Sequence, residues 1–275
     1  MSVLWSVLIV VAVTSVAVGA MLLVRRRAPD GSYFNDGDRA AGVFGVLATG
    51  FALLLGLVVF LAFASYDESR SGAETEALVV AQLFETAQFL PADATGTLGN
   101  QLVCYARNVV HQEWPRMEAG TQGASINPWA VALFDTLEQI DPTTAPEQAA
   151  FSKWLDQTSE RESARNDRIH GAAGVIPDPL WVVLFATAAV IFVFMLFFAD
   201  SGERVVVQGV LMGTIVVVIT MTLLLINFLD SPFRSGYGGL RPVAMERTLT
   251  ILDQERAVVG EGEPLPCDAE GAPAA

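Results

Sequence analysis

The chain's 275 residues are 52% hydrophobic with a mean hydropathy of +0.46, yet they carry a formal net charge of −14. That hydropathy excludes an ordinary soluble domain, and that charge excludes a chain made only of spans; a membrane protein with an acidic extramembrane part satisfies both. Two cysteines exclude a disulfide-dense scaffold or a four-cysteine zinc site, and without a long basic block no nucleic-acid partner is expected.

Residues 1–24 read as the first span: Val3 to Val24 is apolar, uncharged and long enough for a hydrocarbon core of about 30 Å at about 1.5 Å per residue. A cleaved signal peptide would need a charged leading segment and a shorter apolar run, and three arginines follow here, so a retained span with its N-terminus outside is expected. Residues 25–40 form a polar connection, with Arg25, Arg26, Arg27 and Arg39 set against Asp30, Asp36 and Asp38, and Gly31 and Gly37 marking loop. The second span covers 41–64. No proline follows before Pro91, so the stretch Gly42 to Leu90 predicts one helix that leaves the bilayer.

Residues 65–178 are too polar to cross a membrane and predict a helical bundle. Leu98, Leu102, Tyr105 and Val109 keep helical spacing up to Trp114 and the breaker Pro115. Asn127 with Pro128 starts a second helix that buries Trp129, Leu133, Phe134 and Leu137, and Thr144 with Glu147 forms a capping box for a third with Phe151, Trp154 and Leu155 inward. The alternating charges of Glu160 to Arg168 suit a solvated face. Pro177 and Pro179 mark re-entry, and Trp181 stands at the interface of a third span, 179–199. A cytoplasmic turn, 200–204, leads to the fourth span, 205–229. The tail, 230–275, holds a helix candidate from Val243 to Val258 and then a Gly/Pro/Glu/Ala segment whose composition supplies no core. The fold class is thus an all-α integral membrane protein: four transmembrane helices with a helical-bundle insert between spans two and three.

Orientation follows from arginine placement. Arg25, Arg26, Arg27, Arg39 and Arg204 flank the two short connections, so these are cytoplasmic and the bundle and tail extracytoplasmic. Residues 66–178 carry a net −10 and residues 230–275 a net −4, so all of the excess acid falls on the outward side. Cys104 and Cys267 share that oxidising side, where two readings stay open: a disulfide tying tail to bundle, or two unpaired residues.

Several segments resemble the DUF4239 membrane proteins, a family of unknown activity also called bestrophin-like. They are Phe60 to Ser69 (FLAFASYDES), Glu76-Ala77, Tyr105-Ala106-Arg107 through Glu113-Trp114, Arg165 to Ile169, Pro179 to Trp181, and Leu229 to Phe233 followed by Gly236. Their order covers most of residues 40 to 250. The resemblance implies the four-span layout with a helical insert; the bestrophin label implies an oligomeric anion channel. The chain shows no bestrophin pore motif, and its topology places the large domain outside, where bestrophins keep theirs in the cytosol.

Site chemistry is sparse. Cys104, Asn108 and His111 lie at helical spacing, with His170 the other histidine, but two good ligands fall short of a zinc set and a polar helix face explains them. Asp67 with Glu68, and Glu74 with Glu76, point to different helix faces and read as boundary charges. No GxSxG, HExxH or Gly-rich phosphate loop occurs, so neither an enzyme nor a cofactor is expected. No charged residue or histidine lies inside a span, which leaves gating by apolar constriction as the route for ions, with Phe44, Phe51, Phe60 and Phe63 as candidates against simple packing. Asp230, Pro232, Arg70 and Arg234 are expected as an interfacial anchor in which Asp230 pairs with Arg70 or Arg234.

One pattern stands out. Gly42, Gly45, Thr49, Ala52, Gly56, Val59, Phe63, Tyr66, Arg70, Ala73, Ala77, Val80, Phe84 and Ala87 follow alternating steps of three and four, a heptad seam interrupted by Arg70. Its first five residues are small and are helix-packing or pore-facing candidates, buried against spans three and four or against a neighbouring subunit. The function expected is a homo-oligomeric channel or pore in the lipid bilayer; the alternative is an envelope sensor or scaffold whose acidic bundle binds an envelope protein partner.

Overall fold

The computed structural model describes residues 3–29, 33–121, 126–259 and 264–274, so Asp30 and Gly31 of the first connection, and residues 260–263 of the tail, lie outside the described residues. The chain is helical throughout, with no strand among the described residues beyond a single bridge between Cys267 and Pro273. Among the described residues nine α-helices follow in order: α1 Val3–Arg25, α2 Gly37–Ala87, α3 Ala92–Asn108, α4 Trp114–Glu118, α5 Pro128–Leu137, α6 Ala145–His170, α7 Asp178–Leu196, α8 Val205–Leu229 and α9 Val243–Val259. α1, α2, α7 and α8 are long and apolar enough to cross a membrane.

The chain divides into two compact units. The first comprises residues 1–65 and 174–230, and its packing uses narrow stripes because all faces of its helices are apolar. Phe51, Leu55 and Val58 of α2 pack with Leu184 and Ile191 of α7 and Ile226 of α8. Ala17 and Met21 of α1 pack with Met212 and Val216 of α8. Gly209 and Gly213 of α8 let α1 come close: a Cβ at Gly213 would lie 3.5 Å from Thr14, the small-residue approach that membrane helices use where no hydrophobic force draws them together. At one end the Arg25 guanidinium donates to the backbone carbonyls of Asp200, Ser201 and Glu203, pinning the α7–α8 turn to the end of α1. Beside it Phe34, Phe44, Phe194 and Phe198 form an aromatic cluster with centroids 4.8–5.9 Å apart. At the other end of α8, Asp230 Oδ1 accepts the N–H groups of Val175 (2.7 Å) and Ile176 (2.9 Å), closing the segment before α7.

The second unit comprises residues 66–173 and 231–275. Its core draws Val80, Leu83 and Phe84 from α2, Leu98, Leu102 and Tyr105 from α3, Leu133 from α5, Trp154 from α6, and Met245 and Leu252 from α9. The Asn127 side chain accepts from the Trp129 N–H, and Thr144 and Glu147 form a reciprocal capping box, as their spacing predicts. Trp129, Leu133 and Leu137 are buried, whereas Phe134 and Leu155 are exposed. Pro115 does not end its helix. A π-helical turn, Val109–Glu113, intervenes, in which the Trp114 N–H reaches back five residues to the Val109 carbonyl; the widened turn accommodates a ring that lacks an N–H and would otherwise collide with the preceding turn. The tail's composition promised no core, yet residues 264–274 are held in place: Cys267 is bonded to Cys104, and Asp268 Oδ1 accepts the N–H groups of Glu270 and Ala272 to close a turn.

Candidate functional site

Gly72 sets the geometry of the charged centre in the second unit. A Cβ there would sit 2.6 Å from the Arg168 nitrogen and 2.7 Å from the Ala164 oxygen, so only glycine lets α2 lie this close to α6. Backbone atoms cannot swing aside as a flexible side chain can. Gly72→Ala is therefore expected to push the helices apart and destabilise the unit by about 1–3 kcal/mol, the range for overpacking, read as a lowered thermal midpoint. An unchanged midpoint would show that the contact does not constrain the fold.

One turn beyond Gly72 on α2, Glu76 is wholly buried and faces Arg168. The guanidinium grips it through two bonds, Nε to Oε2 at 2.5 Å and Nη2 to Oε1 at 3.1 Å, and Tyr105 donates its hydroxyl to Oε1 at 2.6 Å. The same Nη2 reaches Glu113 Oε2 at 2.6 Å. Glu113 Oε1 accepts from Arg165 at 3.1 and 3.3 Å and from Asn127 at 3.2 Å. Arg168 lies 5.8 Å from the Trp114 ring centroid and buried Arg161 lies 4.9 Å above Tyr105, both within cation–π range.

Electrostatics follow from this enclosure. Burial pushes the Glu113 carboxyl up, but the guanidiniums of Arg168 and Arg165 outweigh it and hold the group below its ordinary value. Burial disfavours charge on Arg168 too, and the two carboxylates more than reverse that. Burial and then the Glu76 charge raise the Tyr105 hydroxyl, so it remains a donor. Glu113 thus stays ionised, and all four oxygens of the Glu76 and Glu113 carboxylates are occupied by donors. This is a clamp joining α2, α3, α6 and the π turn; no open position remains for a substrate. Two sequence readings are corrected. Glu76 is not a boundary charge, and Glu160 to Arg168 is not uniformly solvated, since Arg161 and Arg168 turn inward. A signal was available: Glu76, Tyr105, Glu113, Trp114, Arg165 and Arg168 all fall in the segments that carry the family resemblance, and the fold brings them to one place.

In the first unit, α2 presents two unlike faces. Phe44, Phe51, Leu55 and Val58 turn inward, so Phe44 and Phe51 are packing residues, not constriction residues; Phe60 and Phe63 are exposed. The other face carries Gly42, Gly45, Thr49, Ala52 and Gly56, every one exposed, and nothing lies within 4 Å of a Cβ added at any of the three glycines. The seam therefore does not pack against spans three and four. Its continuation through Ala77, Val80, Phe84 and Ala87 is buried in the core of the second unit.

The remaining site residues are partnered differently from expectation. The pairing of Asp230 with Arg70 or Arg234 is replaced: Asp230 binds the Val175 and Ile176 amides, Arg70 holds Glu74 at 3.1 Å on an exposed helix face, and Arg234 is exposed. Pro232 is buried, and its carbonyl accepts the Leu240 N–H at 2.8 Å to close the turn after Ser231. Cys104 and Cys267 are joined, with Cα atoms 5.8 Å apart, so Cys104 has no thiolate to offer a metal. Asn108 donates instead to the Gly271 carbonyl, and Trp129 Nε1 shares that acceptor at 2.7 Å. The polar face of α3 is thus a seat for the tail, and no group of three metal-ligating side chains occurs among the described residues.

The family model described as "Bestrophin-like domain" matches residues 9–238. Among solved structures, the chain is similar to a bacterial bestrophin homologue from Klebsiella pneumoniae. One single-substitution variant of that protein gives a TM-score of 0.63 at 18% identity, covering 91% of this chain and 98% of that one. Another gives 0.66 at 16%, covering 89% and 97%. The form phased on zinc gives 0.65 at 16%, covering 92% and 99%. At these identities the likeness is one of fold. No curated protein matches the chain.

Proposed function

The chain belongs to the bestrophin-like family, and from that membership we propose that it is a homo-oligomeric membrane channel whose subunits meet along α2. The observation that carries this reading is the bare face of Gly42, Gly45, Thr49, Ala52 and Gly56, opposite a face packed within the subunit. Small side chains let helices of neighbouring copies approach closely around an axis, and Thr49 is the one hydroxyl on that face. With no charge on it, gating by wetting and dewetting of an apolar constriction suits the face better than a charged relay.

Arginine placement supports an orientation with residues 25–40 and 200–204 in the cytoplasm. The Cys104–Cys267 bond supports it independently, because thiols in a reducing cytosol stay reduced. On this reading the acidic helical unit lies outside the cell membrane.

Mass measurement in mild detergent and current recording in planar bilayers test the proposal together. Wild type is expected to form a ring-sized particle that conducts. Gly45→Leu and Gly56→Leu, which meet no atoms within their own subunit, are expected to weaken subunit association about tenfold, or about 1.4 kcal/mol, and to reduce current. A monomer or dimer that never conducts would overturn the channel and favour a scaffold that binds an envelope protein; wild-type behaviour of both variants would remove α2 from the interface.

A further inference from the structure

The loop after α8 holds an aromatic ring in the open. Its root is fixed at both ends: the Pro232 carbonyl accepts the Leu240 N–H at 2.8 Å, and buried Phe233 meets the Trp114 ring edge-on at 5.3 Å. Trp114 Nε1 donates to the Leu240 carbonyl at 3.3 Å, so one tryptophan grips both ends of the loop. The interior is fixed as well. A Cβ at Gly239 would lie 2.5 Å from the Arg234 carbonyl oxygen, and Gly238 has a φ of +83°, so both positions call for glycine. Between these fixed points Tyr237 is 87% exposed. A tyrosine on a pliable loop can fold onto its neighbours. This one is held away from them, which leaves a large ring against whatever surrounds the protein.

Two points where the chain leaves the bilayer fix the depth of that ring. The Tyr66 hydroxyl donates to the Gly238 carbonyl at 2.9 Å. Tyr66 closes the apolar run of α2, and Asp67 and Glu68 follow at once. Charged side chains are costly in hydrocarbon, so Tyr66 stands at the membrane surface. The loop's other anchor is covalent: α8 ends at Leu229, its first following charge is Asp230, and Pro232 is two residues further. At about 3.6 Å per residue the chain cannot carry Pro232 more than about 11 Å from the end of α8. Tyr237 directly precedes Gly238, the residue that Tyr66 binds. The ring therefore stands in the open at the level of the headgroups, on whichever side of the membrane the unit lies. Tyrosine suits that layer, because its ring is apolar and its hydroxyl can meet phosphate and water. Ser235, Gly236, Gly238 and Gly239 flank it with no charge and little bulk. We infer that Tyr237 is an interfacial anchor that inserts into the phospholipid headgroup layer, and that the loop from Ser231 to Leu240 is built to present it there.

Fluorescence quenching tests this without reference to conduction. The two native cysteines are bonded to each other, so Tyr237→Cys supplies the thiol that takes an environment-sensitive fluorophore. The position is exposed, so the label displaces no packed atom. The full-length labelled protein is placed in phosphatidylcholine nanodiscs, where both faces meet water. Lipid spin-labelled at the headgroup is expected to quench the fluorophore more than lipid labelled at the chain end, and aqueous iodide to quench it little. Tyr237→Trp keeps an aromatic ring, and its added emission over wild type is expected to be quenched by lipid brominated near the headgroup end of its chains. Quenching by iodide with no effect of either lipid would put the ring in water. Protection from all quenchers would put it against a neighbouring subunit, and stronger quenching from the chain end would put it in the hydrocarbon core. Each of these results would overturn the anchor, as would bromolipid that leaves the Tyr237→Trp emission unchanged.

Discussion

Replacing Arg168 by methionine is expected to cost the helical unit about 3–5 kcal/mol, the range for removing one partner of a buried ion pair. The substitution keeps some of the side chain's bulk and leaves Glu76 wholly buried with only the Tyr105 hydroxyl, while Glu113 keeps Arg165 and Asn127. Chemical unfolding in detergent, followed through near-ultraviolet signals of the core tryptophans Trp114 and Trp154, measures it. Glu76→Gln is expected to destabilise as well, and the double variant to lose less than the sum, because the second change removes a charge that the first left unpaired. Additive losses would mean that the two side chains are not coupled. The clamp also sets a pH dependence. The folded Glu113 carboxyl is held below its ordinary value of 4.5, so its contribution is present above that value and lost as pH falls through the lower, folded one. The unit should therefore weaken on the acid side of about pH 4.5 and show no matching loss between pH 5 and 8.

Cys104→Ser and Cys267→Ser are expected to destabilise by about 2–5 kcal/mol, since the bond closes a span of 163 residues and so restricts the unfolded chain strongly. Cys104→Ser should be the worse of the two, because that position is fully buried while Cys267 retains slight exposure. Loss of the bond also frees the tail, whose Gly271 carbonyl satisfies Asn108 and Trp129. A Cβ at Gly271 would collide with the backbone of Asn108, so the seat on α3 accepts that residue only as glycine with its φ of +79°. Trypsin offers a direct measurement. Cleavage after Arg256 should leave the tail peptide attached to the wild type until reductant is added, and released at once from either serine variant. A tail released from unreduced wild type would refute the staple.

Most of the architecture could be read from residue order because the bilayer imposes few choices. Four apolar runs of sufficient length became α1, the first part of α2, α7 and α8, and short polar signals at Asn127 and Thr144 marked the helix starts that form there. Local chemistry decides such features, so local sequence reveals them. The charged centre was hidden for the opposite reason. Whether Glu76 faces water or Arg168 depends on a partner 92 residues away and on the absent side chain of Gly72, neither of which periodicity along one helix can report. Pro115 misled similarly, since the π turn that absorbs it is an adjustment of the whole helix to its core. The α2 face was visible as small residues at heptad spacing. Its partner was not, because small residues suit contact within a subunit and between subunits equally well.

The bond between Cys104 and Cys267 has a consequence for how the protein is made. A covalent link cannot pass through a bilayer, so the chain between its two ends must cross an even number of times, as α7 and α8 together provide. The link can close only after Cys267 has emerged on the same side as Cys104. Chains that insert only one of the two helices leave both thiols free and separated by the membrane. Oxidation at this pair therefore registers insertion of both α7 and α8, and a thiol-labelling gel would directly count the molecules in which that helix pair is threaded.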